Sequence, residues 1–253
     1  MNWSMYGVEV KRILRDPAGL FFIVALPAFM FIIFGSTMEW TDLRVGNGNV
    51  AMSTMIALSA FGAATATSSI AGMAAVEKLQ GWGRQLALTP MKQSTYVGVK
   101  TLLSMTVALV PIGIIYLLGS LLSSEAPWTT WLYSFLILAG GSMVFALYGL
   151  MFGLYFKSET AASISSGILV ILAFLGNLFV PLSGLMLTIG KFTPMYGYAS
   201  LARYPLLEGT SYDMNGNPVA EPLWQALLNV GVWAAIFGSI CIYLLRSRAG
   251  QRV

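Results

Sequence analysis

The sequence predicts an all-α membrane protein with six transmembrane helices, and three observations carry that expectation. Of 253 residues, 57% are hydrophobic and only 9% charged, with a mean hydropathy of +0.75. A soluble fold covers itself with about a quarter charged residues, so the natural solvent of this chain is lipid. Its few charges divide it into long neutral runs at 17–38, 45–76, 101–124, 126–156, 160–190 and 222–245. A helix needs about 20 residues to cross a hydrocarbon core about 30 Å thick, so each run holds one span. The predicted spans lie near 18–38, 50–76, 101–123, 128–156, 160–180 and 222–245, within one transmembrane domain covering 1–253.

Residues 1–16 precede the first span as an amphipathic interfacial helix. Trp3, Tyr6, Val10, Ile13 and Leu14 share one face, while Glu9, Lys11, Arg12 and Arg15 lie elsewhere. Such a basic amphipathic segment lies in the membrane interface, either as an anchor or as a sliding element that also touches a cytosolic partner. Pro17 turns the chain into the first span. That span exceeds a signal-peptide core and no A-x-A site follows it.

The second span is rich in small and hydroxyl residues, among them Ser59, Gly62, Ala63, Ala64, Thr67, Ser68 and Gly72, which let helices approach closely. Gly149 and Gly153 in the fourth span repeat that pattern and suit packing within the chain. Between the second and third spans, Leu79, Trp82 and Leu86 fall on one helical face of a short segment ended by Pro90. Spacing leaves two uses open for this stripe: packing on the chain's own helix ends, or docking in a groove of a cytosolic subunit. Residues 181–204 are apolar but broken by Gly184, Gly190, Lys191, Pro194 and Arg203. Irregular backbone at membrane depth must be buried in protein or face water, so re-entrant outer helices are expected there, between spans five and six. Residues 205–221 read as an exposed loop turning at Asn215-Gly216.

Basic residues set the expected orientation. With the N-terminus cytoplasmic, 11 of the 14 basic residues fall inside, and only Arg44, Lys191 and Arg203 outside. Both termini are therefore expected in the cytoplasm. Trp40, Trp128, Trp131 and Trp224 then sit at outer helix ends, where indole rings favour the interface. Lys191 and Arg203 are candidates for an outer gate; the alternative is snorkelling to the outer interface. Phe174, Phe179, Phe192, Tyr196 and Tyr198 crowd the outer half, as lining for hydrophobic cargo or as lipid-facing and internal packing.

The same residues exclude several chemistries. The chain has no His and one Cys, which removes Ser-His-Asp catalysis, His metal sites and intramolecular disulfides. No span carries an Asp or Glu, so an ion-coupled carrier is disfavoured. Lys precedes Ser or Thr only at Lys100-Thr101 and Lys157-Ser158, where Val99 and Phe156 replace the Gly of a phosphate-cradling G-x-x-x-x-G-K-[ST] loop. No catalytic residue and no metal ligand is predicted.

Glu77-Lys78, followed by Gly81, Gly83, Leu86 and Leu88-Thr89-Pro90, resembles the cytosolic loop of type-2 ABC transporter permeases. Arg15-Asp16-Pro17, the six spans, Pro181-Leu182-Ser183-Gly184 and Phe192-Thr193-Pro194-Met195-Tyr196 extend the resemblance over the whole chain. It departs at Gln85, where many members carry an acidic residue, which weakens one polar contact with the partner. The resemblance implies a permease subunit of an ATP-driven exporter of hydrophobic or amphiphilic compounds such as drugs, antibiotics or lipid-like molecules. It implies that this chain binds no cofactor, while ATP and Mg are held by a separate ATP-binding cassette subunit. It implies a second permease copy, as homo- or heterodimer, in a bacterial inner membrane and among its lipids, with no role for nucleic acid. Residues 77–90 become the coupling helix, with Glu77, Lys78, Leu79, Trp82, Arg84 and Leu86 as partner-binding residues. The competing readings are an ATP-independent membrane enzyme or lipid flippase, a polysaccharide-exporting permease, and a structural or assembly protein.

Overall fold

The computed structural model describes residues 3–82, 93–156, 158 and 160–249. Helix α1 (Trp3–Leu14) ends before Asp16, whose carboxylate accepts a 3.0 Å bond from the Gly19 amide. With Pro17 in the first turn, this caps α2 (Pro17–Ser36) and fixes the change of direction. Pro27 has no N–H to return to the Ile23 carbonyl, and the turn just before it, Phe21–Ala25, is widened.

A small hairpin, β1 (Arg44–Val45) on β2 (Gly48–Asn49), leads into α3 (Val50–Glu77). Asn49 holds three segments together. Its Oδ1 accepts from the amides of Met52 at 2.9 Å and Glu125 at 3.0 Å, and its Nδ2 donates to the Ser123 carbonyl at 2.6 Å. Helix α3 is the centre of the fold: it packs on α2 and on α4 (Gln93–Leu121), α6 (Met143–Phe156), α7 (Thr160–Leu175) and α9 (Pro194–Leu207). Its small residues make this possible. Gly62 faces both Pro111 of α4 and the Ile23 carbonyl, Gly149 faces the Ser68 backbone, and Gly153 faces that of Gly72. The expected use of Gly149 and Gly153 in intrachain packing is met by these α3–α6 contacts.

The run 128–156 is long enough for one crossing and runs as two helices, α5 (Trp128–Gly141) and α6, that join at a single turn residue, Ser142, whose N–H still bonds the Leu138 carbonyl at 3.1 Å. Two short helices, α8 (Gly184–Gly190) and α9, occupy the broken stretch, and the second hairpin, β3 (Thr210–Tyr212) on β4 (Pro218–Ala220), follows. In its turn Asp213 accepts from the backbone amide of Asn217, which holds its carboxyl below the usual range. Helix α10 (Leu223–Ala249) closes the chain.

The chain is thus an all-α membrane protein. Among the described residues, five helical stretches are long and apolar enough to cross a membrane: Pro17–Ser36, Val50–Gln80, Thr95–Leu121, Trp128–Phe156 and Leu223–Ser247. The structure differs from the sequence expectation at several boundaries. In the run expected to span 160–180, α7 has 16 residues and stops at Leu175, because Asn177 takes a left-handed conformation at φ 60° that ends a helix. The third long helix is already formed at Gln93, the first described residue after 82, well before 101, since Lys100 is buried instead of ending the apolar run. The loop expected from 205 starts later, because α9 continues through Pro205 to Leu207, and part of it forms β3 and β4.

Candidate functional site

The amphipathic helix does not lie loose on the bundle. The Tyr6 hydroxyl donates to Thr106 Oγ1 at 3.0 Å, fixing α1 to α4. One turn on, the Lys100 ammonium of α4 contacts Glu9 Oε1 of α1 at 2.7 Å and Glu77 Oε2 of α3 at 2.8 Å. Arg12 pairs with the other oxygen of Glu77. Two acids and two bases from three helices therefore meet, and Lys100 is only 7% exposed. The Tyr96 hydroxyl contacts the Ala74 carbonyl at 3.2 Å and Glu77 at 3.4 Å, and its ring lies 5.7 Å from the ammonium.

Helical spacing explains the assembly. Tyr96 and Lys100 are four apart on α4, and Glu9 and Arg12 three apart on α1, so each pair shares a face. The reciprocal pairing makes burial of Lys100 tolerable, because a lone ammonium in an apolar setting costs several kcal/mol. Beside the ions lies a cavity of about 120 Å³, floored by Ile23, Ile70 and Leu103 and edged by Asp16. Glu77 and Lys100 stand at the two ends of the segment 77–100, so both ends of that segment are tied to each other and to α1.

Of the residues expected to bind a partner, Glu77 belongs to this cluster, and Lys78 and Leu79 follow it in a widened turn, Lys78–Trp82. Leu79 packs against the small core of Ala75, Leu154 and Cys241, so its apolar surface is used within the chain. Trp82 is described only in its backbone, and Arg84 and Leu86 lie outside the described residues.

A second polar cluster forms around Glu221, at the start of α10. Its carboxylate accepts from the hydroxyls of Tyr196, Ser200 and Ser211, the last two at 2.7 Å. Arg203 donates to the Asn177 carbonyl at 3.0 Å and lies near the Glu221 charge. Lys191 lines a cavity of about 30 Å³ together with Glu221 and Asn229, and its carbonyl accepts from Asn229 Nδ2 at 2.9 Å. The two gate candidates thus flank one carboxylate without meeting. Of the aromatics expected in the outer half, Phe174 and Phe192 are exposed, Phe179 meets both Phe61 and Phe174 edge-on, and Tyr196 and Tyr198 are buried with bonded hydroxyls.

Sequence reasoning named Glu77 but missed its partners Arg12 and Lys100, and Glu9, which shares Lys100 with it. The available signal was Lys100 itself, a single charge between Tyr96–Val99 and the next apolar run, four residues from a Tyr on the same face.

Comparison with known proteins gives two findings. A family model described as "ABC-2 family transporter protein" matches residues 36–243. The chain is 26% identical over 247 residues, covering 95% of each chain, to a protein of Bacillus subtilis (strain 168) named "Putative transport permease YvfS".

Proposed function

The chain belongs to the ABC-2 family of transporter proteins, and from that premise we propose that it is the permease subunit of an ATP-driven exporter whose ATPase is a separate polypeptide. The family supplies the coarser statement that this is the membrane component of an ABC transporter, working with an ATP-binding cassette subunit. The finer reading is that ATP and Mg bind on the partner and this chain binds neither. Residues 77–90 dock on the ATPase, Trp82, Arg84 and Leu86 meet it, and Leu79 anchors the segment to the permease.

The observation that carries this reading is the ion cluster at the two ends of that segment. Lys100 and Glu77 join the end of α3 to the start of α4, and Glu9 and Arg12 join both to α1. A push on the segment therefore moves three helices together rather than bending a loose loop. The distribution of basic residues supports cytoplasmic termini in a bacterial inner membrane. With Thr160–Leu175 as a shorter sixth crossing and α8 and α9 re-entrant from outside, the chain forms a single six-span domain. Exposed apolar faces on α2 and α10 suit lipid and a second permease copy. The apolar composition of the outer half favours hydrophobic or amphiphilic cargo, with Lys191 and Arg203 at the exit.

The test is co-expression with an ATPase encoded by a neighbouring reading frame that carries the phosphate-cradling motif. The tagged permease should retain that ATPase through detergent extraction, and Arg84→Glu should release it. Equal retention of the ATPase by an unrelated membrane protein would contradict the reading.

A further inference from the structure

Between α5 and α6 the helix tightens at one residue. Ser142 keeps helical φ and ψ of −58° and −21°. Its N–H bonds the Leu138 carbonyl at 3.1 Å and its own carbonyl accepts from Phe145 N–H at 2.9 Å, and side chains from two other helices bond to the same two carbonyls. Ser142 is fully buried, as are Thr67 and Leu138, and the run from Trp128 to Phe156 contains no Pro that would force a break. The Leu138 carbonyl accepts from the Tyr198 hydroxyl of α9 at 2.7 Å. The Ser142 carbonyl accepts from the Thr67 hydroxyl of α3 at 2.9 Å. The Tyr198 ring also lies over Gly141, where a Cβ would come within 2.7 Å of it. Gly140, one residue earlier, has nothing within 4 Å of a Cβ position, so the segment is free on one side and clamped on the other.

Thr67 has a choice of partners. Its Oγ1 lies 3.0 Å from the Ala63 carbonyl and 3.2 Å from that of Ala64, both in its own helix, as well as 2.9 Å from that of Ser142. A hydroxyl has one proton to donate. It can bond across to Ser142 or back into α3, with a small rotation between the two. Thr67 also stands ten residues before Glu77, about 15 Å along one continuous helix at 1.5 Å per residue.

We infer that residues 140–142 form a hinge within the membrane, closed by Thr67 and Tyr198 and released when α3 shifts against it. Glu77 is fixed to the segment that we assign to the ATPase, so α3 acts as a rod between that segment and the hinge. This drive rests on the coupling role proposed above; the hinge itself rests on the contacts at Thr67, Leu138, Ser142 and Tyr198. Opening it swings α5 relative to α6.

The experiment measures distances between spin labels at Tyr133→Cys and Tyr155→Cys, exposed positions on α5 and α6, in a Cys241→Ser background in lipid nanodiscs. The Thr67→Val and Tyr198→Phe double variant, which removes both hydroxyls at nearly constant volume, should broaden the distribution or add a second distance. Thr67→Ser, which keeps the donor, should reproduce the parent. A double-variant distribution identical to the parent would overturn the hinge. Addition of ATP to the complex with its ATPase should shift the parent toward the distance that the double variant adds. If the double variant broadens but ATP shifts nothing, the hinge stands and its drive through α3 is overturned.

Discussion

Lys100 and Glu77 lie 2.8 Å apart, one near the start of α4 and the other at the end of α3, so the two ends of the segment 77–100 are joined by an ion pair. Glu9 takes the other side of the same ammonium. Removing the lysine leaves two largely buried carboxylates facing each other. Lys100→Met should therefore destabilise the protein by about 3–5 kcal/mol, the range for breaking a buried pair. Glu9→Gln in the Lys100→Met background should recover part of that loss. Thermal unfolding in detergent measures both, and additive losses would show that the three charges act independently.

Close helix approach gives a second prediction. A Cβ at Gly149 would overlap the Ser68 backbone, whereas one at Gly167 would meet nothing within 4 Å. Gly149→Ala should cost about 1–3 kcal/mol, as overpacking does, and reduce the yield of folded protein. Gly167→Ala, also within a helix, should be neutral or stabilising because it lowers backbone freedom. Equal effects at the two positions would contradict the packing of α3 on α6.

How far the sequence carries the structure depends on what each residue can signal alone. Neutral runs bounded by charges locate the long helices, because crossing lipid demands length and apolarity and little else. The Asn215-Gly216 turn is equally local, and Gly216 has the positive φ of 78° that such a turn requires. Lys100 misled the boundary of the third long helix because a charge reads as the end of a span unless its partners are known. Those partners, Glu9 and Glu77, are 91 and 23 residues away. The turn at Ser142 is illegible for a related reason: the Ser142 and Leu138 carbonyls there accept from Thr67 and Tyr198, which lie on helices far apart in sequence. Glu221, ringed by hydroxyls from Tyr196, Ser200 and Ser211, likewise looked like an ordinary loop acid.

Orientation is open to direct chemical labelling. In a Cys241→Ser background, Asp213→Cys should react with a membrane-impermeant maleimide added outside intact cells, and Lys92→Cys should be protected until the membrane is opened. The reverse pattern would invert the proposed topology.

The two cations that the proposed topology places at the outer face, Lys191 and Arg203, separate two roles. Arg203 is already bonded to the Asn177 carbonyl beside Glu221, so Arg203→Met should lower stability. If Lys191 and Arg203 also meet cargo, the double Met variant should lose export of anionic substrates while neutral ones still move. Unchanged export across a panel of both charge classes would confine the pair to structural work.

The central claim is that residues 77–90 couple this permease to a separate ATPase, and the most direct measurement is the ATPase rate of the reconstituted complex with and without cargo. Trp82→Ala and Arg84→Glu should each insert normally and abolish the cargo-stimulated part of the rate, together with transport. Full cargo stimulation in both variants would contradict the account.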